Sequence, residues 1–208
     1  PGRGLSGVFQ GEPVRLGSRL WCGIAENDGQ GLPEFVLMRN SRAADLFTFE
    51  DELRGDAAAV IAKLKSDGLR VEIEPEIIET NHGKWEGKNV VTIKENWPKE
   101  FETWQNTPSC TIFPNGDAFE DTRTRVLTWW KEFLPTAQGA TIVIAHDNIL
   151  RVLLVDALGM DPDSMWRFEL QPAAITTVKV TNGKVNVGTI NDTNHLEGLQ
   201  ANLANHAL

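Results

Sequence analysis

His146, Asp147 and Asn148 stand where an apolar run stops. Thr141-Ile142-Val143-Ile144-Ala145 is short, largely β-branched and uninterrupted, and it breaks off into these three polar side chains. An imidazole followed by a carboxylate and an amide can hold or move a proton and can present donors to an anion. Two further groups offer related chemistry. Glu79 follows Ile77-Ile78, so its carboxyl group enters from an apolar approach, where burial would raise its pKa toward that of a proton donor. Arg39-Asn40-Ser41-Arg42 follows Phe35-Val36-Leu37-Met38, and paired guanidinium forks match phosphate or carboxylate oxygens. Each group also has an ordinary reading: a locally bonded cap histidine, solvated loop carboxylates at Glu76, Glu79 and Glu86, and a surface turn with solvated arginines.

Such groups need elements to position them. The 141–145 run suits a strand buried on both faces. Ile149, Leu150, Leu153, Leu154, Ala157 and Leu158 then continue at helical spacing as far as Gly159. A polar cluster between a buried strand and a following helix is where open α/β sheets place ligands, and the helix amino end favours an anion there. Phe35–Met38 is a second candidate for a short buried strand. A helix is expected from Asp51 to about Lys65, closed by Asp67-Gly68, and Arg70–Glu74 alternates like a strand. Residues 88–112 read as a helix-rich excursion carrying Trp97, Phe101 and Trp104, and Asp117–Leu134 as an amphipathic helix. Asp161-Pro162 starts another helical segment. Ile175–Val180 and Val185–Val187 form a β-hairpin turning at Asn182-Gly183.

The architecture expected is a three-layer α/β/α sandwich with a C-terminal β-hairpin, occupying residues 35–198. Residues 1–34, punctuated by glycine, read as extended loop with at most a short helix near Leu16–Cys22, and residues 199–208 as a peripheral tail. The formal net charge of −9 argues against non-specific binding to nucleic acid or an acidic membrane. Two cysteines make neither a disulfide framework nor a metal cluster, and the four histidines lack metal-ligand spacing. No apolar stretch approaches the roughly 20 residues of a membrane span, and no secretory segment is visible. A cytoplasmic protein without metal or cofactor is the expectation, and the exposed hairpin offers an edge for a homodimer.

Taken together, the motifs resemble the histidine phosphatase superfamily and its phosphoglycerate-mutase-like fold. Ala145-His146-Asp147-Asn148-Ile149-Leu150-Arg151 with Leu158-Gly159 resembles the family's Ser-His-Gly-Gly-x-x-Arg…Leu-Gly stretch. Glu79-Thr80-Asn81-His82-Gly83-Lys84-Trp85-Glu86-Gly87 resembles Glu-x-x-x-Gly-x-Trp-Glu-Gly. Gly116-Asp117, Asp121 and Arg125-Val126 fall at the spacing of Gly-Glu-Ser-x-x-Asp-x-x-x-Arg-Val, and Asn191–Leu196 resembles the closing strand. The likeness covers roughly residues 70–196.

The resemblance implies phosphate-ester chemistry on a small anionic or phosphorylated substrate. It assigns charge stabilisation to His146, proton donation to Glu79 and phosphate binding to Arg39, with Asp147 and Asn148 at the start of the helix. The family's first strand ends Arg-His-Gly, whose histidine attacks phosphorus. Here Val36-Leu37-Met38-Arg39-Asn40-Ser41 is the nearest match, with Asn40 at the nucleophile's place. In an alternative alignment Phe35–Arg42 is the family's second strand, Arg42 or Arg54 binds phosphate, and the Arg-His-Gly strand is absent. The delocalised amide of Asn40 has no basic lone pair with which to form a phosphoamidate. Asp147, in place of the family's glycine, puts a carboxylate beside His146 that would raise its basicity and repel a phosphate dianion. Three functions follow: a phosphatase divergent or altered at the nucleophile, a repurposed isomerase, dehydratase or cyclase using His146 and Glu79, or a non-catalytic binding relative.

Overall fold

The computed structural model describes residues 4–25, 34–49 and 53–199, so His206 and most of the expected tail lie outside the described residues. The chain divides into two compact units, Pro1–Val71 and Glu72–Leu208.

The first unit is built on an antiparallel meander. Strands β1 (Gly4–Phe9), β2 (Glu12–Gly17), β3 (Glu34–Arg39) and β4 (Arg42–Thr48) lie in the order β1-β2-β3-β4. The loop expected over the glycine-rich segment is therefore corrected to a strand pair followed by helix α1 (Arg19–Cys22). Gln10-Gly11 takes positive φ at both positions (51° and 80°), the geometry of a two-residue hairpin turn matched to strand twist. The pairing of β2 with β3 also crosses the boundary expected at residue 34. Cys22, Val36 and Met38 form a small core under this sheet.

Phe35–Met38 is thus a strand, but not one that opens a parallel α/β sheet. Arg39-Asn40-Ser41-Arg42 is a second tight hairpin, with Asn40 and Ser41 at φ 49° and 60° and Arg39 opposite Arg42. Antiparallel neighbours need only this two-residue link, whereas a parallel strand ending at a ligand site needs a crossover. Helix α2 (Ala57–Ser66) follows and ends at Gly68 in the left-handed region (φ 85°), as its spacing predicts.

The second unit carries the larger core. Asn89 caps helix α3 (Val90–Asn96) by accepting from the Thr92 N–H, and Pro98 begins α4 (Pro98–Asn106) at the position where a missing N–H costs nothing. Helix α5 (Phe119–Phe133) buries Phe119, Thr122, Val126, Leu127 and Trp130 along one face. Helix α6 (Asp147–Ala157) buries Ile149, Val152, Leu153 and Val155 and packs against α5. The hairpin of β5 (Val178–Thr181) and β6 (Lys184–Val187) turns at Asn182-Gly183, both with positive φ. The Trp and Phe residues of the helical excursion are packing residues. Trp104 meets Phe113, Phe119 and Trp166 edge-on, with ring centroids 5.0, 4.9 and 5.0 Å away.

Two strand expectations fail, the first of them in this unit. Thr141–Ala145 is extended but makes no backbone hydrogen bond with another described residue. Its alternation survives: Val143 and Ala145 pack on the core, while Ile142 and Ile144 are 85% and 86% exposed. Strand residues become buried on both faces only when neighbouring strands carry covering layers, and no described strand lies alongside. Arg70–Glu74, which runs from the first unit into the second, likewise forms no ladder with a described strand, and Ile73 is exposed.

Trp104 is almost fully buried at the centre of this aromatic cluster. Trp104→Ala is expected to remove about 3–5 kcal/mol of unfolding free energy, measured by urea denaturation.

Candidate active site

The loop bearing Glu79 is assembled by contacts from three directions. Arg125 on α5 donates to the carbonyls of Glu76 and of Ile78 (3.0 Å), which fixes the approach to Glu79. Glu79 is half-buried, and its Oε1 accepts from the N–H of Thr80 at 2.7 Å. The Asn81 N–H donates to Asp117 Oδ2 (3.0 Å), while the Asp117 N–H donates to the Asn81 carbonyl (2.9 Å). Lys84 N–H donates to the Pro114 carbonyl at 2.8 Å. Two glycines permit this approach. A Cβ on Gly83 would come within 2.4 Å of the Pro114 carbonyl oxygen, and one on Gly116 within 2.3 Å of the Asn81 carbonyl oxygen.

This clamp turns His82 inward. Its ring lies edge-on to Phe113 (centroids 4.7 Å apart) and to Trp104 (6.3 Å), and the residue is 6% exposed. Nε2 sits 3.1 Å from Nδ2 of Asn148. Burial pushes the His82 pKa below the ordinary imidazole value, against the opposing pull of the Glu79, Glu86 and Asp117 carboxylates. A neutral ring with its proton on Nδ1 leaves Nε2 to accept from the Asn148 amide N–H.

Asn148 lies in the first turn of α6, two residues beyond His146. His146 occupies the N-cap position with an exposed side chain that makes no capping bond. Asp147 Oδ2 accepts from Arg151 Nε at 2.8 Å. Arg151, almost fully buried, also donates to the carbonyls of Met165 (2.9 Å) and Phe168, and its guanidinium lies 5.0 Å from the Trp166 ring centroid. The Asp147 charge, expected to act on His146 and on a bound dianion, therefore has a guanidinium counter-charge on its own helix. Thr80 Oγ1, Asp147 Oδ1 and Asn148 Oδ1 are buried without a hydrogen-bond partner among the described residues.

The second unit thus joins the Glu79 loop to the start of α6, and with it three expected site residues, Glu79, Asn148 and Asp147, to His146. The other four expected residues belong to the first unit and have surface roles there. Arg39 pairs with Glu12, and hydrogen bonds from Arg39 and then Asn40 hold the Glu12 carboxyl below its usual range. Arg42 is exposed at the hairpin. Arg54 pairs with Asp56 at 3.1 Å in an exposed position. Asn40 is a turn residue whose N–H donates to the Pro13 carbonyl. Sequence reasoning passed over His82, Arg125 and Arg151, all of which hold the site together. The place of His82 between Glu79 and the Gly83-Lys84-Trp85-Glu86-Gly87 run was the available signal.

Comparison with known proteins places this region. The sequence model of the histidine phosphatase superfamily (branch 1) matches residues 55–193. Phosphoserine phosphatase 1 of Hydrogenobacter thermophilus is 28% identical over 140 residues, covering 67% of this chain and 65% of that protein. The adenosylcobalamin/alpha-ribazole phosphatase of Escherichia coli is 24% identical over 54% of this chain and 56% of that protein. Bacillus stearothermophilus YhfR superposes with a TM-score of 0.56 at 21% identity, covering 67% of this chain and 72% of that one. A mycobacterial glucosyl-3-phosphoglycerate phosphatase, solved with inorganic phosphate, gives 0.54 at 18% identity over 68% and 74% of the two chains. The chain spans under two thirds of the length of these two curated relatives, and Asn40 lies outside the family match.

Two outcomes test the clamp. Gly116→Ala must displace the Asn81 carbonyl and is expected to destabilise the protein by about 1–3 kcal/mol, read from the urea midpoint at unchanged slope. Because the folded pKa of His82 is depressed, its stability contribution is full above the unfolded value of about 6.5 and is lost as pH falls below it toward the folded value. Stability measured from about pH 7.5 down to about pH 5 should fall, and the fall should be smaller in His82→Gln.

Proposed function

The chain belongs to the histidine phosphatase superfamily, and from that premise we propose that it binds phosphate monoesters of a small metabolite and hydrolyses them slowly at the His146 end of α6. The observation that carries this reading is the His82–Asn148 contact of 3.1 Å, which ties the carboxylate-bearing loop to the helix start.

In the proposed reaction the ester's phosphoryl group lies at the amino end of α6. The first-turn N–H groups there lack helical partners, and the helix dipole favours negative charge. His146, exposed at the N-cap, stabilises charge on the phosphoryl oxygens. Water attacks phosphorus and the ester P–O bond breaks; Glu79 gives a proton to the leaving alkoxide, the attacking water keeps one proton on the phosphate and releases the other to solvent, and Glu79 regains a proton from solvent. The products are the alcohol and inorganic phosphate.

Water is the nucleophile in this scheme because the other described histidines of the second unit are engaged. His82 is buried against Asn148, and His195 Nε2 lies 3.0 Å from the Ala173 carbonyl. Without a covalent nucleophile the rate falls by several orders of magnitude relative to one that forms a phosphohistidine. The phosphorylated compounds named for the relatives support the substrate class.

The test is release of phosphate from p-nitrophenyl phosphate and a panel of phosphorylated metabolites. Slow turnover inhibited by vanadate is expected, and His146→Ala and Glu79→Gln should each lower kcat/KM by about 100-fold or more. Turnover that survives His146→Ala would remove the assignment.

A further inference from the structure

We propose that His82 is a positioning residue: by accepting from the Asn148 amide it fixes the first turn of α6, and so the direction in which that turn and His146 face an anion. The proposal rests on the reading of the α6 start as the phosphate-binding end, and it adds the element that holds that end in place.

Helix starts are commonly pinned by their own N-cap side chain, which accepts from an N–H two or three residues on. Here the N-cap is His146, and its side chain makes no such bond. Two side-chain contacts take over the pinning. One is internal, from Arg151 to Asp147 at 2.8 Å, and holds the turn to its own helix. The other comes from 66 residues away in sequence, where His82 meets Asn148. That second contact relates the helix start to the Glu79 loop.

The surroundings of His82 suit such a role. Phe113 and Trp104 pack edge-on to its ring, and the Asn81–Asp117 and Lys84–Pro114 backbone bonds flank it on either side. The ring therefore has little freedom to follow Asn148 if the helix shifts. Asn148 is 1% exposed, so its amide nitrogen has this ring in place of water. Its Oδ1 is buried without a partner among the described residues, as is Thr80 Oγ1 in the Glu79 loop. An amide whose oxygen makes no bond is held in orientation only through its nitrogen. The His82 bond supplies that constraint.

The experiment compares wild type with His82→Phe, which keeps an aromatic ring in the box but has no acceptor, and His82→Gln, whose Oε1 can accept. Affinity for inorganic phosphate is measured by calorimetry at about pH 7.5, where His82 is neutral. The Phe variant is expected to bind about tenfold more weakly, the equivalent of one buried hydrogen bond, and the Gln variant to recover most of that loss. Equal affinity in wild type and the Phe variant at equal thermal stability would overturn the proposal. So would equal weakening in both variants, because a purely structural role gives no rescue by an acceptor.

A second readout does not depend on phosphate. In the ligand-free protein the Asn148 side-chain amide should show slowed hydrogen exchange and a single resonance pair in wild type and His82→Gln, both lost in His82→Phe. If wild type binds no phosphate while this pattern holds, the proposed function fails and the positioning role stands. If the Asn148 amide is insensitive to both substitutions, the positioning role fails whatever the affinity. Should His82→Phe not fold, the same resonances followed in wild type through the His82 titration serve in its place, and their indifference to protonation would overturn the proposal.

Discussion

The loop that carries Glu79 depends on two stretches of backbone coming closer than side chains allow. At Gly83 and Gly116 the chain has no Cβ, and the oxygens facing those positions lie within 2.4 Å of where one would be. That proximity is what lets Asn81 and Asp117 exchange bonds in both directions. Once the two stretches are locked, His82 must face the interior, because the residues on either side of it are committed. A single steric permission at two glycines therefore propagates into the orientation of an imidazole, and from there into the seating of a helix. The two family motifs containing these glycines can be understood as geometry before chemistry.

Arg151 shows the same economy with charge. Burying a guanidinium costs several kcal/mol unless its donors are met, and here Nε is met by one carboxylate and Nη1 by two carbonyls, with an indole beside the group. The carbonyls belong to the helical turn around Pro162–Arg167 and its exit, so one side chain couples α6 to the segment that follows it. It also compensates the carboxylate of Asp147. An acidic residue next to the expected anion site thus becomes part of a neutral pair in place of a repulsive charge.

Local signals carried the helices and turns. The apolar spacing of α5 and α6, the proline start of α4 and the Asn-Gly turn at 182–183 each depend on neighbours a few residues away, and each was legible. The motifs around Glu79 and His146 were legible too, because they are contiguous. What escaped was everything set by distant partners. Phe35–Met38 and Thr141–Ala145 have similar apolar character, yet one pairs on both sides in an antiparallel sheet and the other pairs with nothing described. Pattern alone does not say which strand lies alongside, so the hairpin turn at Asn40 read as a strand end at a ligand site. The glycine-rich amino segment misled in the opposite sense, since the β1–β2 ladder closes on the Gln10-Gly11 turn while every β1 side chain is exposed, leaving no buried apolar pattern to read. His82 was passed over because its significance comes from Asn148, and no local rule connects positions so far apart.

The outer row of Ile142 and Ile144 has an energetic meaning. Each isoleucine left in water forgoes about 1.5–3 kcal/mol that burial would give, and the amides between them join no ladder among the described residues. Held straight by Val143 and Ala145 beneath, this stretch is a template already in strand geometry, so a second extended segment would meet little ordering cost on its side of the pairing.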